Sequence, residues 1–573
     1  MGALLLPESV RWLPLTGVAE VVGDAKVVAI GENNHYIREF GLLRDRLLRL
    51  LVTELGFTVL AYESGFAEGE LADAWIRGAP GEPEVLARNG FTFRFGEPAE
   101  VRGMLGWLRE HNRSNGNRVR FAGLDLPGAG GSPVPALAKV RDYLGRRTEL
   151  VDAALEATEP YHAANNSVAL ARYSELAHAE RDAATAALAR LLLYLDAMPD
   201  GGPEHLIARH HALGALRLDE HLREFTLLGT EPPAKVVSSR DVYHAETVRL
   251  LRRLHGPDAR IVLMMHNAHI QRVPMELLPG IHADSAGTHL AGPDYVAIAV
   301  TATVGTTTDT ELNENAPQGF DVVPHPAGPP AEDSIEAAVA GEEPVLLDLR
   351  AARAATGLPT LRTTRPISPP DAERLDATLP DAGSADAGLS SSEVADAGRP
   401  DSGVADAGRP NAGLPGAGLA DAGPAAPGLA DAGLPESRRP APGMAVAGLP
   451  DLGVAVARHP NPGVADAGRP DAGVADAGPR GAALHDSGAA DAGPRDAGPR
   501  DAGRPAAGPS TPAPPTPGLP ATGLPAKIRH VTTHLAVDLP AAFDAIACLP
   551  EMTPATLTTP DRSGQNGVPD RFE

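Results

Sequence analysis

Three observations in the amino-acid sequence predict an α/β fold, a doubly wound and mainly parallel sheet. Short apolar runs rich in β-branched residues recur along the chain, amphipathic helical stretches separate them, and acidic residues and histidines stand directly after several of the runs. The runs are Lys26–Ile30 (KVVAI), Thr58–Tyr62 (TVLAY), Arg118–Gly123 (RVRFAG), Arg260–Met265 (RIVLMM), Tyr295–Val300 (YVAIAV) and Pro344–Leu347 (PVLL). Being apolar on both faces, they read as buried strands. Between the first two, Ile37–Leu55 places Phe40, Leu43, Leu47, Leu50 and Leu51 on one stripe of a helix. Ala99–Asn112 and Asp241–His255 read as further helices, and the helix-rich stretch 134–230 as a helical insertion or lid on the sheet.

Gly (61) and Pro (56) make up about a fifth of the 573 residues and concentrate between 370 and 525, in units such as VADAGRPDAGVADAGPRGA. No Phe, Trp or Tyr occurs between Phe320 and Phe543. Such a stretch buries too little apolar surface to offset its conformational entropy and is expected to be disordered. Gly does not recur strictly at every third position, which excludes collagen. Ala541–Leu549 (AAFDAIACL) again reads as an apolar strand. The expected organisation is therefore an α/β domain over 1–369, a low-complexity repeat insertion over 370–525, a final strand segment of the same domain over 526–557, and a disordered tail over 558–573.

A net charge of −24 disfavours binding to a phosphate backbone. Neither a basic leader followed by an apolar core nor a run of about 18 apolar residues is present, so a cytoplasmic protein with no membrane and no nucleic-acid partner is expected. The single cysteine, Cys548, permits no internal disulfide and sits in an apolar run as core filler.

In open α/β sheets ligands bind beyond the carboxyl ends of the strands. Those ends carry Gly31-Glu32-Asn33-Asn34-His35, Glu63-Ser64-Gly65, Gly123-Leu124-Asp125 and His266-Asn267-Ala268-His269. Taken singly, each has a plain reading. Glu32 suits the N-terminus of the following helix, Glu63 suits a pair with Arg44 or Arg46, and the two histidines suit a strand-end turn. Four strands delivering such groups to one edge point instead to a site. No G-x-S-x-G elbow, H-E-x-x-H zinc motif, G-x-G-x-x-G turn or phosphate-binding P-loop is present, and Gly128–Gly131 reads as a flexible loop. A carboxylate–histidine site without a protein nucleophile suits water activation, with an arginine or second histidine stabilising an oxyanion.

The run VVAIGENNHYIREFGLLRDRLLRLLVTELGFTVLAYESGFAEGELADAWIRG resembles the opening of the erythromycin esterase family: a strand, G-E-x-x-H, a helix with an arginine, and a strand ending in Glu. RFAGLDLPG, SSRDVYHAETVRLLRRLHGPDARIVLMMHNAHI and AAFDAIACLPEMTPATL resemble its later segments, so that the likeness covers roughly 1–365 and 530–557. The resemblance implies His35 as the base that activates water, Glu32 and Glu63 as site carboxylates, Arg44 as a supporting cation, and His266 and His269 as further catalytic-site residues. It implies hydrolytic opening of a lactone or other bulky ester, macrolide-type, with antibiotic resistance as the outcome and no cofactor. Metal dependence stays open, because the family resembles a wider group of metal-dependent peptidases and haem-binding proteins. A metal- or haem-binding protein without esterase activity is the alternative, and a non-catalytic scaffold whose repeats bind a partner is a third reading. The sequence departs from the family pattern at Asn33-Asn34, at His244 and Thr247, and at Tyr36, where a small Gly is usual. A phenol at the mouth of the pocket is expected from Tyr36.

Overall fold

The computed structural model describes residues 10–355 and 525–557, apart from 15–16, 117, 200, 229–234, 279 and 314. The repeat region expected to be disordered and the expected tail lie outside the described residues.

The apolar runs assemble into one central sheet. Its order is Arg11–Leu13, Val345–Asp348, Ala545–Met552, Tyr295–Leu312, Val27–Ile30, Ile261–Met264, Val59–Gly65 and Arg120–Asp125, with Phe320–Pro326 paired to the far half of Tyr295–Leu312. The six strands from Ala545–Met552 to Arg120–Asp125 run parallel, and the Val345–Asp348 strand is antiparallel to both of its neighbours. The sheet thus includes strands from both sides of the repeat region.

Side chains alternate along each strand, so each run feeds two cores. Val28, Ile30, Leu60, Tyr62, Val262 and Met264 pack one face against Phe40, Leu43, Leu47, Leu48 and Leu51 of helix Arg38–Thr53 and Val101, Met104, Leu105 and Leu108 of helix Ala99–Ser114. Val27, Ala29, Val59, Ala61, Ile261 and Leu263 pack the other against Val248 and Leu251 of helix Ser239–His255 and against Ile335 and Leu539. Cys548 is buried in that second core. The stretch expected to be helical folds into five helices, Val134–Leu144, Glu149–Thr158, Asn166–Glu175, His178–Asp196 and Pro203–Leu228, with apolar clusters of their own. Among the described residues no helix is long and apolar enough to cross a membrane.

Three local expectations change. The strand expected over Tyr295–Val300 continues to Leu312. Its extension, Thr-rich and half exposed, forms a hairpin with Phe320–Pro326, and a polar hairpin leaves no continuous apolar run to read. The run Ala541–Leu549 is divided: Asp538 caps a short helix Leu539–Ala542, and the strand begins at Ala545. Gly128–Gly131 is not a loose loop. Pro127–Gly130 forms a buried single turn whose Gly128 amide donates to Glu68 Oε1 at 3.0 Å.

Candidate active site

All four strand ends meet at one edge of the sheet, because Val27–Ile30 lies beside Ile261–Met264, which lies beside Val59–Gly65 and then Arg120–Asp125. Gly31 is needed at the first of them. A Cβ there would come within 2.0 Å of Asn267 Oδ1, and that amide oxygen accepts from the Val300 amide while its nitrogen donates to the Val300 carbonyl. The close approach ties the first motif to the histidine turn, where the Asn267 amide also donates to the Glu32 carbonyl at 2.8 Å.

Glu32 does not cap the helix that follows, whose N-cap is Ile37 without a side-chain bond. Its Oε1 lies 2.9 Å from His35 Nδ1 and its Oε2 2.6 Å from Arg44 Nη1. Burial pushes the Glu32 carboxyl up, but Arg44 and His35 together hold it below the usual carboxylate range. An ionised carboxylate only accepts, so Nδ1 of His35 carries the proton and the lone pair sits on Nε2. Asn34 fixes the backbone here: its Oδ1 accepts from the His35 amide, its Nδ2 donates to Thr307 Oγ1 and the Thr308 carbonyl, and Thr308 Oγ1 donates to the His35 carbonyl. The His35 ring keeps 15% of its side-chain surface exposed and packs 4.6 Å from the Phe95 ring.

Tyr36 follows with φ of 57°, the left-handed region that favours glycine. Its side chain is buried, donates to the Phe93 carbonyl, packs on Phe95 and lines a cavity shared with Glu32 and Arg44. Phe93 and Arg94 are left-handed too, with φ of 55° and 60°. The Arg94–Glu97 pair, with Arg94 Nη1 donating to the Phe320 carbonyl, holds that turn against its strain.

Glu63 pairs with neither Arg44 nor Arg46. Its Oε1 accepts from Arg240 Nη2 at 2.8 Å and its Oε2 from the His266 amide at 2.6 Å. Arg240, 2% exposed, also makes a forked pair with Asp125, through Nε at 2.9 Å and Nη2 at 2.7 Å. Asp241 Oδ1 accepts from His269 Nδ1 at 2.7 Å, and His244 Nε2 lies 3.1 Å from Asp125. Burial raises the Glu63 and Asp125 carboxyls, but His269 and Arg240 lower the first, and Arg240 and His244 hold the second well below its usual range. Burial depresses His269, while Asp241 and Glu63 lift it above its ordinary value.

His266 joins the two clusters. Its amide is held by Glu63, and its ring lies 5.5 Å from the His35 ring. Its Nδ1 accepts from the Ala268 amide at 3.1 Å, which leaves the ring proton on Nε2. The six residues expected from sequence therefore fall into two adjoining groups, Glu32, His35 and Arg44 in one, Glu63 and His269 in the other, with His266 between them. Sequence reasoning missed Arg240, Asp241, Phe93, Phe95 and His530, whose ring lies 4.9 Å from that of His266. A buried carboxylate needs a cation, so the lack of a partner for Glu63 and Asp125 was the signal for Arg240.

Among the described residues, Asp241, His244 and His269 form the group whose ligand atoms lie within 4.8 Å of one another. Asp241 Oδ1 already accepts from His269 Nδ1 and the Ala286 amide, and Arg240 Nη1 is 3.2 Å from His269 Nε2. A cation held there has to displace those bonds and sit beside a guanidinium.

The carboxylates and the histidine around Arg240 set opposite pH limits. Glu63, Asp125 and Asp241 have lowered values, so the stability they contribute is present above about pH 4 and is lost as pH falls through their folded values. His269 has a raised value, so its contribution is full below about pH 6.5 and is lost as pH rises through its folded value. Urea midpoints measured across pH should show a decline on the alkaline side that His269→Gln flattens; an unchanged alkaline slope in that variant contradicts the assignment.

The erythromycin esterase family model matches residues 52–386. The erythromycin esterase type II of Escherichia coli is 30% identical over 338 residues, 56% of this chain and 80% of that relative. The type I enzyme of Escherichia coli is 28% identical over 351 residues, 58% of this chain and 84% of the relative. A solved mutant of the erythromycin esterase EreC, histidine to asparagine, in its open conformation, is 25% identical with a TM-score of 0.49, covering 58% of this chain and 85% of that one. With a family model matching more than half of its residues, and a relative at 30% identity matched over four-fifths of its own length, the chain belongs to the erythromycin esterase family.

Proposed function

We propose that this erythromycin esterase-like hydrolase opens a macrolide-type lactone or another bulky ester by water activated at His35. The observation that carries the reading is the Arg44–Glu32–His35 relay, at 2.6 and 2.9 Å, around the one partly exposed imidazole of the strand-end motif. Arg44 keeps Glu32 ionised, and Glu32 fixes the tautomer of His35 and stabilises the imidazolium that forms when Nε2 takes a proton from water. The oxygen of that water attacks the ester carbonyl. His266, with its proton on Nε2, donates to the oxyanion that develops. On collapse the bond from the carbonyl carbon to the alcohol oxygen breaks, its electron pair goes to the alcohol oxygen, and a proton returns to it. Phe93 and Phe95 give the reacting groups an apolar wall suited to a large, weakly polar substrate.

The relatives' names, erythromycin esterases types I and II, support a macrolide as the first substrate to try. Incubation of the full-length protein with a panel of macrolides, followed by mass spectrometry, is expected to show the gain of one water in at least one of them. A panel left unchanged, together with no hydrolysis of simpler bulky esters, defeats the reading. If a macrolide is opened, expression in a susceptible bacterium is expected to raise the inhibitory concentration of that compound.

A further inference from the structure

His530 stands in a place that costs the fold a good deal to build. It ends the strand Lys527–His530 of a short hairpin with Thr533–Ala536, beyond the stretch that the family model matches. The residue before it, Arg529, is 1% exposed, and its guanidinium donates to the carbonyls of Ala302, Ala327, Thr303 and Gly328. The Arg529 amide donates to Glu336 Oε1 at 2.8 Å; the same oxygen accepts from Thr301 Oγ1, which accepts from Asn33 Nδ2. The residue after it, Val531, has φ of 53°, and its amide donates to the Asn33 carbonyl at 2.9 Å. A β-branched residue in the left-handed region is strained, and such strain persists only where the surroundings over-determine it. On both sides, therefore, bonds to the strand-end motif or its supports fix His530. The result is a buried imidazole edge-on to His266, with ring centroids 4.9 Å apart and planes at 82°. Three histidine rings, His35, His266 and His530, then stand in sequence at spacings of 5.5 and 4.9 Å.

The middle ring is not suited to be an acid. Its Nδ1 accepts the Ala268 amide, which places the ring proton on Nε2 and makes that nitrogen a hydrogen-bond donor. It serves as a hydrogen-bond donor, and the two outer histidines are left for proton transfer.

We propose that His530 is the general acid for the leaving group, so that base and acid are separate histidines on either side of the oxyanion donor. The inference rests on the reading of His35 as base. His35 takes the proton from water. As the carbon–oxygen bond of the tetrahedral intermediate breaks, its electron pair goes to the alcohol oxygen, which takes a proton from the His530 imidazolium. The net proton then passes through solvent from His35 back to His530, and water plus ester gives acid plus alcohol.

The test is leaving-group dependence. A nitrophenolate departs without help, whereas an alkoxide needs a proton in the transition state. Full-length wild type, His530→Gln, His530→Phe and His35→Gln are assayed on a nitrophenyl ester and on an alkyl ester or lactone of the same acyl group. His530→Phe keeps a ring against His266 and controls for packing, and melting temperatures check that each variant is folded. The expected result is a loss of about 100-fold on the alkyl substrate and less than about threefold on the nitrophenyl ester in both His530 variants, within the range of single acid–base residues. Equal losses on both esters, or no loss on either, overturn the assignment. His35→Gln separates this from the underlying reading: it should lose both activities, and full retention of both in that variant defeats the His35 mechanism while the His530 comparison still stands by itself.

Discussion

His35→Ala is expected to lower kcat/KM for ester hydrolysis about 10³-fold, in the middle of the range that a single positioned acid–base group supplies. The fold should survive it. His35 is a partly exposed ring on Glu32 Oε1, while Arg44 Nη1 stays 2.6 Å from the other oxygen, Oε2, when the imidazole is removed. Removing such a side chain should cost about 1 kcal/mol of stability. The contrast with Glu32→Gln makes the assignment sharp. That change removes the partner of a guanidinium that is 3% exposed, and breaking a buried pair costs about 3–5 kcal/mol. Glu32→Gln should therefore lose both activity and stability, His35→Ala activity alone. The measurement is kcat/KM on one soluble ester beside a urea midpoint for each protein. Wild-type turnover in a folded His35→Ala protein rules out the water-activation role, and a large stability loss there would make its activity uninterpretable.

The parts of the site that are legible in sequence are those carried by the sheet. An apolar run of four or five residues that ends in a charged group announces a strand end, and parallel topology brings such ends together. Glu32, His35, Glu63, Asp125 and the His266–His269 turn are found in this way. Their pairings are not, because a pairing is set by how helices cross the sheet and not by spacing along the chain. Glu63 has Arg44 and Arg46 at hand in sequence, yet it takes Arg240 from a helix that begins after the whole helical insertion. Arg44 faces Glu32 because both lie around helix Arg38–Thr53, with the left-handed turn at Tyr36 between them. Tyr36 itself shows why a departure from a family pattern is hard to read. A glycine there answers a backbone need, and a tyrosine meets the same need at the cost of strain, offset by a buried phenol that holds the Phe93 turn. His530 is the least legible of all, since it sits in a short, mostly polar strand after the repeats, with no apolar period to mark it.

Arg240 carries the second large effect. Its guanidinium is the cation for two carboxylates that are themselves 2% and 0% exposed, Glu63 and Asp125. Arg240→Met leaves both charges in the interior, and a loss of about 3–5 kcal/mol is expected. Protonation of one carboxylate is the cheapest escape for such a protein, so the variant should regain stability as pH is lowered, opposite to the wild-type trend on the acid side. Arg240→Met with Asp125→Asn removes one of the stranded charges while an amide oxygen can still accept the Leu126 amide, as Asp125 Oδ1 does at 2.7 Å. The double variant should recover about 1–3 kcal/mol of the loss, the coupling expected of residues in direct contact. Activity should not return with it. Glu63 holds the His266 amide with one oxygen and Arg240 with the other, so a Glu63 without its cation has no reason to keep the histidine turn in place. Stability that recovers without turnover is the signature of an arginine that positions the oxyanion donor through Glu63. A double variant that regains both would reduce Arg240 to a structural counter-ion, and an Arg240→Met protein with a wild-type urea midpoint would remove the buried network from the account altogether.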